Sequence, residues 1–228
     1  MRQQRGMALM VMLMVVGVLG AFFALRSFNG MKVARDTSTQ TTLAQARDAL
    51  MGFAIVNGRL PCPAPATAVT GTVLAGLEPT PILAAGCANL AGVLPWATLG
   101  IHETDAWGNR LTYRVTSAFT KTTPPFSLTD LGDMTVRDTV GGATLASSAP
   151  AVIVSHGKNG NGAFTPQGVQ LTVGADADEL ENQLTPAGTA TANTVFISKI
   201  LTPTFDDSMT WVALDVLMAR MTLADKLP

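Results

Sequence analysis

Met7 to Leu25 is an unbroken stretch of 19 residues with no charge and no proline. As an α-helix rising 1.5 Å per residue it is about 28 Å long, close to the roughly 30 Å hydrocarbon thickness of a bilayer. A core helix of a soluble domain normally keeps one polar face. This stretch has none, so a membrane-inserted helix is expected from residues 7–25. Charged residues are only 14% of the chain, against about a quarter in an average soluble domain. The net charge is −1, which offers no basic field and argues against nucleic acid as a partner.

Three readings compete for the N-terminus. A cleaved secretory signal suits the basic start at Arg2 and Arg5, with a cut near Ala24. However, the exit Gly20-Ala21-Phe22-Phe23-Ala24 puts a bulky Phe22 where a small residue is wanted, and the run exceeds the roughly 7–15 apolar residues of a signal core. A plain bitopic anchor is the second reading. Arg2 and Arg5 precede the run while Arg26, Lys32 and Arg35 follow it, so loop charge leaves its orientation open.

The third reading starts from Arg2-Gln3-Gln4-Arg5-Gly6, a short polar leader after which the apolar run begins at once at Met7. This resembles the prepilin leader of type IV pilins and type II secretion pseudopilins. The resemblance implies that prepilin peptidase cuts between Gly6 and Met7 and methylates the new amine. Glycine leaves the scissile region without a side chain to obstruct the peptidase. Where most such pilins carry a glutamate soon after the cut, this chain has Val11. That departure points to a minor subunit, one at a filament tip with no terminal amine above it to pair.

Beyond Arg26 a helical period continues. Leu43, Ala46, Leu50 and Phe53 draw one apolar stripe, with Gln40, Gln45, Arg47 and Asp48 on the other faces. Asn57-Gly58, followed by Pro61 and Pro63, ends it. One long helix is therefore expected from Met7 to about Val56, with an interruption near Asn29-Gly30.

From Arg59 the pattern changes to short strands. Leu111, Tyr113 and Val115 alternate with polar residues as on a half-exposed sheet, and Val169, Leu171 and Val173 alternate again. Ala151–Ser155 is a continuous apolar run suited to a buried central strand, and Thr194–Ile200 is a further strand candidate. Ser208–Lys226 reads as a final amphipathic helix with Asp207 as N-cap and Trp211, Leu214, Met218 and Met221 as its stripe. Helix first and sheet afterwards gives an α+β class.

The resemblance extends through Asn57-Gly-Arg-Leu-Pro-Cys-Pro63, Leu94-Pro-Trp-Ala-Thr-Leu-Gly100, Asp105-Ala-Trp-Gly-Asn-Arg-Leu111, Ser155-His-Gly-Lys-Asn-Gly-Asn-Gly162, Asp178-Glu-Leu-Glu-Asn182 and the C-terminal Asp206-Asp207…Trp211. These segments look like a bacterial subgroup of pilin-like proteins. They imply a type IV pilin-like fold: a long N-terminal helix packed on an antiparallel sheet head with a C-terminal helix. The expected divisions are a leader at 1–6, a transmembrane or filament-core half-helix at 7–25, a periplasmic half at 26–58 and a globular head at 59–228. The implied location is the bacterial inner membrane, single-pass with a periplasmic head, and incorporation into a pilus or pseudopilus. The implied partners are other pilin or pseudopilin subunits, prepilin peptidase, an inner-membrane assembly platform and the lipid bilayer. A bitopic, membrane-anchored periplasmic binding or adhesin-like module that does not polymerise is the alternative.

Cys62 and Cys87 are the chain's two cysteines, and in a periplasmic head they are expected to pair. Two cysteines and two distant histidines make a poor metal set by comparison. Ser155-His156 invites a hydrolase reading, but neighbours on a strand point to opposite faces and no Gly-x-Ser-x-Gly elbow exists. Gly157–Gly162 lacks the Gly-Lys-Ser/Thr ending of a phosphate loop and reads as a tight turn, while Trp107 reads as a core anchor. No enzyme is expected. Some pseudopilins carry calcium in a loop, and the acidic stretch here offers Asp176, Asp178 and Glu181 as first candidates. Its spacing is not an EF-hand, and a solvated acidic loop is the plainer reading, so no cofactor is required.

Overall fold

The computed structural model describes residues 2–184 and 193–227, and among the first 30 positions the side chains of 12 and 14–19. The chain divides into two compact units, Met1–Thr37 and Ser38–Pro228. Helix α1, Arg2–Asn57, runs through both without the expected interruption at Asn29-Gly30. Its sequence holds no proline, the residue that would remove a ladder hydrogen bond. It stops where Gly58, at φ +71°, donates its N–H to Ala54 O at 2.8 Å. Glycine takes that left-handed conformation without steric cost.

The expected location is corrected by this helix. No helix among the described residues is long and apolar enough to cross a membrane. Among the described side chains of its early turns are Met12, Met14, Val15, Val16, Val18 and Leu19, and from Lys32, Arg35 and Asp36 onward the helix carries charge. Within the first unit these six side chains are each at least 50% exposed.

The second unit is a mixed α and β structure built on antiparallel pairing. Strands β1 (Ala91–Val93), β2 (Thr112–Val115), β5 (Ala151–Ser155) and β7 (Ser208–Val212) form one sheet in the order β1-β2-β5-β7, antiparallel throughout. Strands β3 (Met134–Arg137), β4 (Thr144–Ala149) and β6 (Val195–Ile197) form a second sheet in the order β4-β3-β6, with β3 antiparallel to β4 and parallel to β6. Short helices α2 (Trp96–Leu99) and α3 (Ala177–Glu181) and the longer α4 (Leu214–Leu223) complete it.

Strand alternation explains the two main cores. Ala151 and Ile153 of β5 join Tyr113, Val115 and Val212 in packing against Leu43, Ala46, Leu50 and Ala54 of α1 and Leu217 and Met221 of α4. Val152 and Val154 face the other way, onto Met134, Val136, Ala149 and Phe196 of the second sheet. The α1 stripe and the central strand thus match expectation, though Phe53 is only half-buried.

Other expectations are corrected. β2 is buried on both faces, because Arg114 turns to Asp133 at 2.9 Å and Thr112 to His156 at 2.8 Å under a second layer. Residues 169–173 form no continuous strand: Gln170 bridges Phe164 and the backbone bonds to 162–165, while Val169 and Val173 are exposed. Ser208–Val212 is strand rather than helix, since it pairs residue for residue with β5. The helix then starts after Ala213, so Asp207 caps nothing and is buried. Trp107 is half-buried. The indole that anchors a core is Trp96, stacked 4.6 Å from the guanidinium of the fully buried Arg110. Arg110 donates to Glu103, to the carbonyls of Ala66, Ala68 and Pro166 and to Thr70, so one side chain joins three loops.

Cys62 and Cys87 are bonded, with Cα atoms 5.4 Å apart. Beside them Glu78 receives a two-point contact from Arg59 at 2.7 and 2.8 Å and the N–H of Cys62 at 2.9 Å, tying the loop to its own root. The double replacement of Cys62 and Cys87 by Ser frees a loop of separation 25 and should lower stability by about 3.5 kcal/mol on loop-closure entropy. Urea midpoints of wild type, reduced wild type and the double variant test this. Coincident midpoints for oxidised and reduced protein would refute it.

Candidate functional site

The processing positions come first along the chain. Gly6, Met7 and Val11 have helical backbone within α1, and their side chains lie outside the described residues. The exposed apolar side chains at 12, 14–16, 18 and 19 begin just beyond them.

A second candidate lies in the second unit, where three remote segments meet. β5 runs into Ser155 and His156, after which the chain turns through Gly157–Gly162. Gly157, at φ +55°, lies so close to the Asp206 backbone and carboxylate that a Cβ would collide with them. Helix α3 supplies Glu179, and the approach to β7 supplies Asp206 and Asp207. One ligand atom from each of Glu179, Asp206 and Asp207 lies within 4.8 Å of the others.

The Glu179 carboxylate is fully buried and organises the turn. Its oxygens accept from Asn159 Nδ2 at 2.8 Å, Asn161 Nδ2 at 2.9 Å and the Asp206 N–H at 3.1 Å. Asp206 accepts from the Asn159 N–H at 2.9 Å. Asp207 Oδ2 accepts from Asn182 Nδ2 at 2.9 Å, and Asn182 also exchanges hydrogen bonds with the backbone of Ile197 on β6. Burial drives the Asp207 carboxyl well above the usual range; the Asn182 hydrogen bond opposes this, and the charges of Glu179, Asp206 and Asp176 add to it.

His156 is fully buried, and burial lowers its pKa to about 4, so its ring is neutral at neutral pH. Its Nε2 meets Thr112 Oγ1 at 2.8 Å, while its Nδ1 stands 3.8 Å from Asp207 Oδ1. Neither Nδ1 nor Oδ1 has a hydrogen-bond partner among the described residues. The adjacent Ser155 turns away, donating to Asp105 Oδ2 at 2.5 Å. Neighbouring strand residues thus serve separate networks, as alternation requires.

The calcium candidates from sequence do not come together. Asp176 caps α3, accepting from the N–H groups of Asp178 and Glu179. Asp178 faces the opposite way, held by Thr139, the Val140 N–H and the Lys199 ammonium. Glu181 is half-buried and is not grouped with either. The inward carboxylate is Glu179, which a stretch of alternating acids does not single out. Its signal lay in the Asp178–Asn182, Ser155–Gly162 and Asp206–Trp211 segments, which converge here.

Asp105 provides a measurable test of this geometry. Burial raises its carboxyl pKa, against the opposing hydrogen bonds of Ser155 and of the Asn109 and Trp107 N–H groups. The folded state therefore holds this proton more tightly than the unfolded chain, and its contribution to stability is lost as pH rises from about 4 through the raised value. Asp105→Asn keeps the acceptor for the two N–H groups and removes the titration. The stability difference between wild type and Asp105→Asn should shift in favour of the variant between pH 4 and 7, read from urea midpoints; a difference independent of pH would contradict the buried-acid geometry. Compared with known proteins, the chain matches no family model, no curated protein and no solved structure.

Proposed function

We propose that this chain is a minor pilin or pseudopilin, a structural subunit of a type IV pilus or type II secretion filament that assembles through α1 and carries out no catalysis. One observation carries the reading. Six large apolar side chains, Met12, Met14, Val15, Val16, Val18 and Leu19, stand exposed on a helix of 56 residues. Burying a Val, Leu or Met side chain is worth about 1.5–3 kcal/mol. A surface of this kind favours helix-to-helix contact with like subunits.

Other features support it. A short basic stretch ending in Gly6 precedes the apolar run, and a long helix followed by an antiparallel sheet and a C-terminal helix keeps the order that the resemblance implies. Val11 brings no carboxylate to the helix bundle, which suits a minor position, because an unpaired charge there is strongly unfavourable. The partners in this reading are like-folded subunits, prepilin peptidase and the assembly platform.

Expressed with a prepilin peptidase, the chain should yield an intact mass and N-terminal sequence beginning at N-methylated Met7, and Gly6→Trp should remain uncut. The double variant Val15→Asp, Val18→Asp changes only exposed positions. It should melt like wild type yet be absent from the sheared filament fraction. An unprocessed wild-type chain, or a double variant that enters filaments as wild type does, would overturn the proposal.

A further inference from the structure

The two sheets, β1-β2-β5-β7 and β4-β3-β6, end in edge strands, whose outer N–H and C=O groups invite another strand unless something answers them. At three edges something does. Beyond β1, Ala64 exchanges two hydrogen bonds with Val93, at 2.9 and 3.1 Å. Beyond β6, the Asn182 side chain bonds both the N–H and the carbonyl of Ile197, and Asn193 Oδ1 accepts from the Val195 N–H. β4 shifts register twice against β3, and its Ser148 sits at φ +55°, so it offers no regular edge.

β7 has no such cover among the described residues. Thr116 donates to Pro150 O at 2.8 Å, one step past the Val115–Ala151 pair, and this sets the alternation of bonds across the sheet. Val152 and Val154 therefore bond toward β2, while Ala151, Ile153 and Ser155 bond toward Val212, Thr210 and Ser208 of β7. The N–H and C=O groups of Met209 and Trp211 point the other way, and they have no partner among the described residues. Ser208–Val212 also carries no charge and no proline, the usual deterrents to edge pairing.

Grooves on the two faces of this edge define what fits it. Met209 and Trp211 lie on the face toward the second sheet, and Thr210 and Val212 on the face toward α1. On the first face Leu128, Leu131, Trp211 and Met218 line a groove of about 510 Å³, with Leu128 and Leu131 exposed and Asp215 disfavouring a further acid. On the second face a groove of about 370 Å³ holds Thr210, Met51 and Val216 together with Arg47, Arg220 and Asp48. Positive charge prevails there. Arg47 Nε is buried without a hydrogen bond, 3.7 Å from Asp48 Oδ1, and Arg220 has no ion pair among the described residues.

Successive side chains of a strand laid along β7 would alternate between these grooves. A residue level with Met209 or Trp211 enters the apolar groove, and one level with Thr210 enters the arginine groove. A second copy's β7 brings no carboxylate to Arg47 and Arg220, so self-pairing leaves both unanswered. We propose that the free edge of β7 is a docking site for an extended segment of a partner protein, alternating apolar and acidic side chains, which joins the sheet as a further strand. Strand addition of this kind draws affinity from main-chain hydrogen bonds and specificity from alternate side-chain pockets. The site lies within the second unit and does not rest on the filament reading.

The test uses the full chain and a short capped peptide alternating valine and glutamate. Its controls are the same peptide with lysine for glutamate and the same peptide N-methylated at alternate amides. Fluorescence anisotropy reads binding, and hydrogen exchange reads where the peptide lies. The glutamate peptide should bind and slow exchange at the Met209 and Trp211 amides, whereas neither control should bind. The double variant Arg47→Glu, Arg220→Glu should bind the glutamate peptide about tenfold or more weakly and should accept the lysine peptide. Absence of binding to the folded chain, or protection away from β7, would overturn the site. Equal binding of the glutamate and lysine peptides would overturn the acidic character of the partner. Concentration-dependent dimers that protect the same two amides and exclude the peptide would replace the partner with a second copy.

Discussion

Burial of β5 on both faces is the constraint from which the second unit is built. A strand of Ala, Val, Ile, Val and Ser offers apolar side chains in both directions, so each face needs its own cover. One face receives α1 and α4, and the other receives the sheet of β3, β4 and β6. Because β2 and β7 flank β5 in the same sheet, they are drawn into the same sandwich, and their polar residues must find partners inside it. Thr112, Arg114, Ser155 and His156 are buried for that reason. The buried polar network at the end of β5 is thus a consequence of layer packing before it is anything chemical.

That network divides cleanly at Ser155 and His156. Ser155 serves the Asp105 turn, where backbone N–H groups converge on one carboxylate, and His156 serves the acidic junction. Around the first, the demands of buried polar atoms are met by neutral donors. At the second, amides of Asn159, Asn161 and Asn182 satisfy one side of the carboxylates, while the facing atoms of Asp207 and His156 remain directed at each other. Partial satisfaction of a buried network is energetically expensive, and it is what distinguishes this junction from an ordinary packed turn.

Continuous or strictly periodic patterns were legible from the sequence. Ala151–Ser155 could be read as a central strand because no polar residue interrupts it before Ser155, and Leu43, Ala46 and Leu50 as a buried stripe because their spacing is helical. The cysteine pair was expected from two cysteines placed in a head read as periplasmic. Ser208–Val212 was misread because Trp211, Leu214, Met218 and Met221 keep a helical spacing, whereas pairing with β5, invisible locally, decides the strand. Val169 and Val173 alternate like a strand, but the backbone pairing of this segment with 162–165 leaves both side chains exposed. The acidic stretch showed that carboxylates were concentrated near α3, but not which one turned inward. Selection of Glu179 depends on Asn159, Asn161 and Asp206, contributed by segments that sequence spacing cannot bring together.

The N-terminal helix poses the opposite problem, because its chemistry is plain in sequence while its environment is not. Exposed Met, Val and Leu side chains on a helix retain an unfavourable contact with water that the helical backbone does nothing to relieve. A partner surface must be apolar and elongated to relieve it, and a like helix satisfies both conditions. The polar residues that follow, among them Lys32, Arg35 and Asp36, limit how far such contact can extend before charged groups would be desolvated. In the proposed reading such contact is confined to the early turns, because the stripe of Leu43, Ala46, Leu50 and Ala54 is already occupied by the core of the second unit. The apolar stripe within the second unit is thus satisfied by that unit's own strands and α4, whereas the apolar side chains of the first unit are not covered among the described residues.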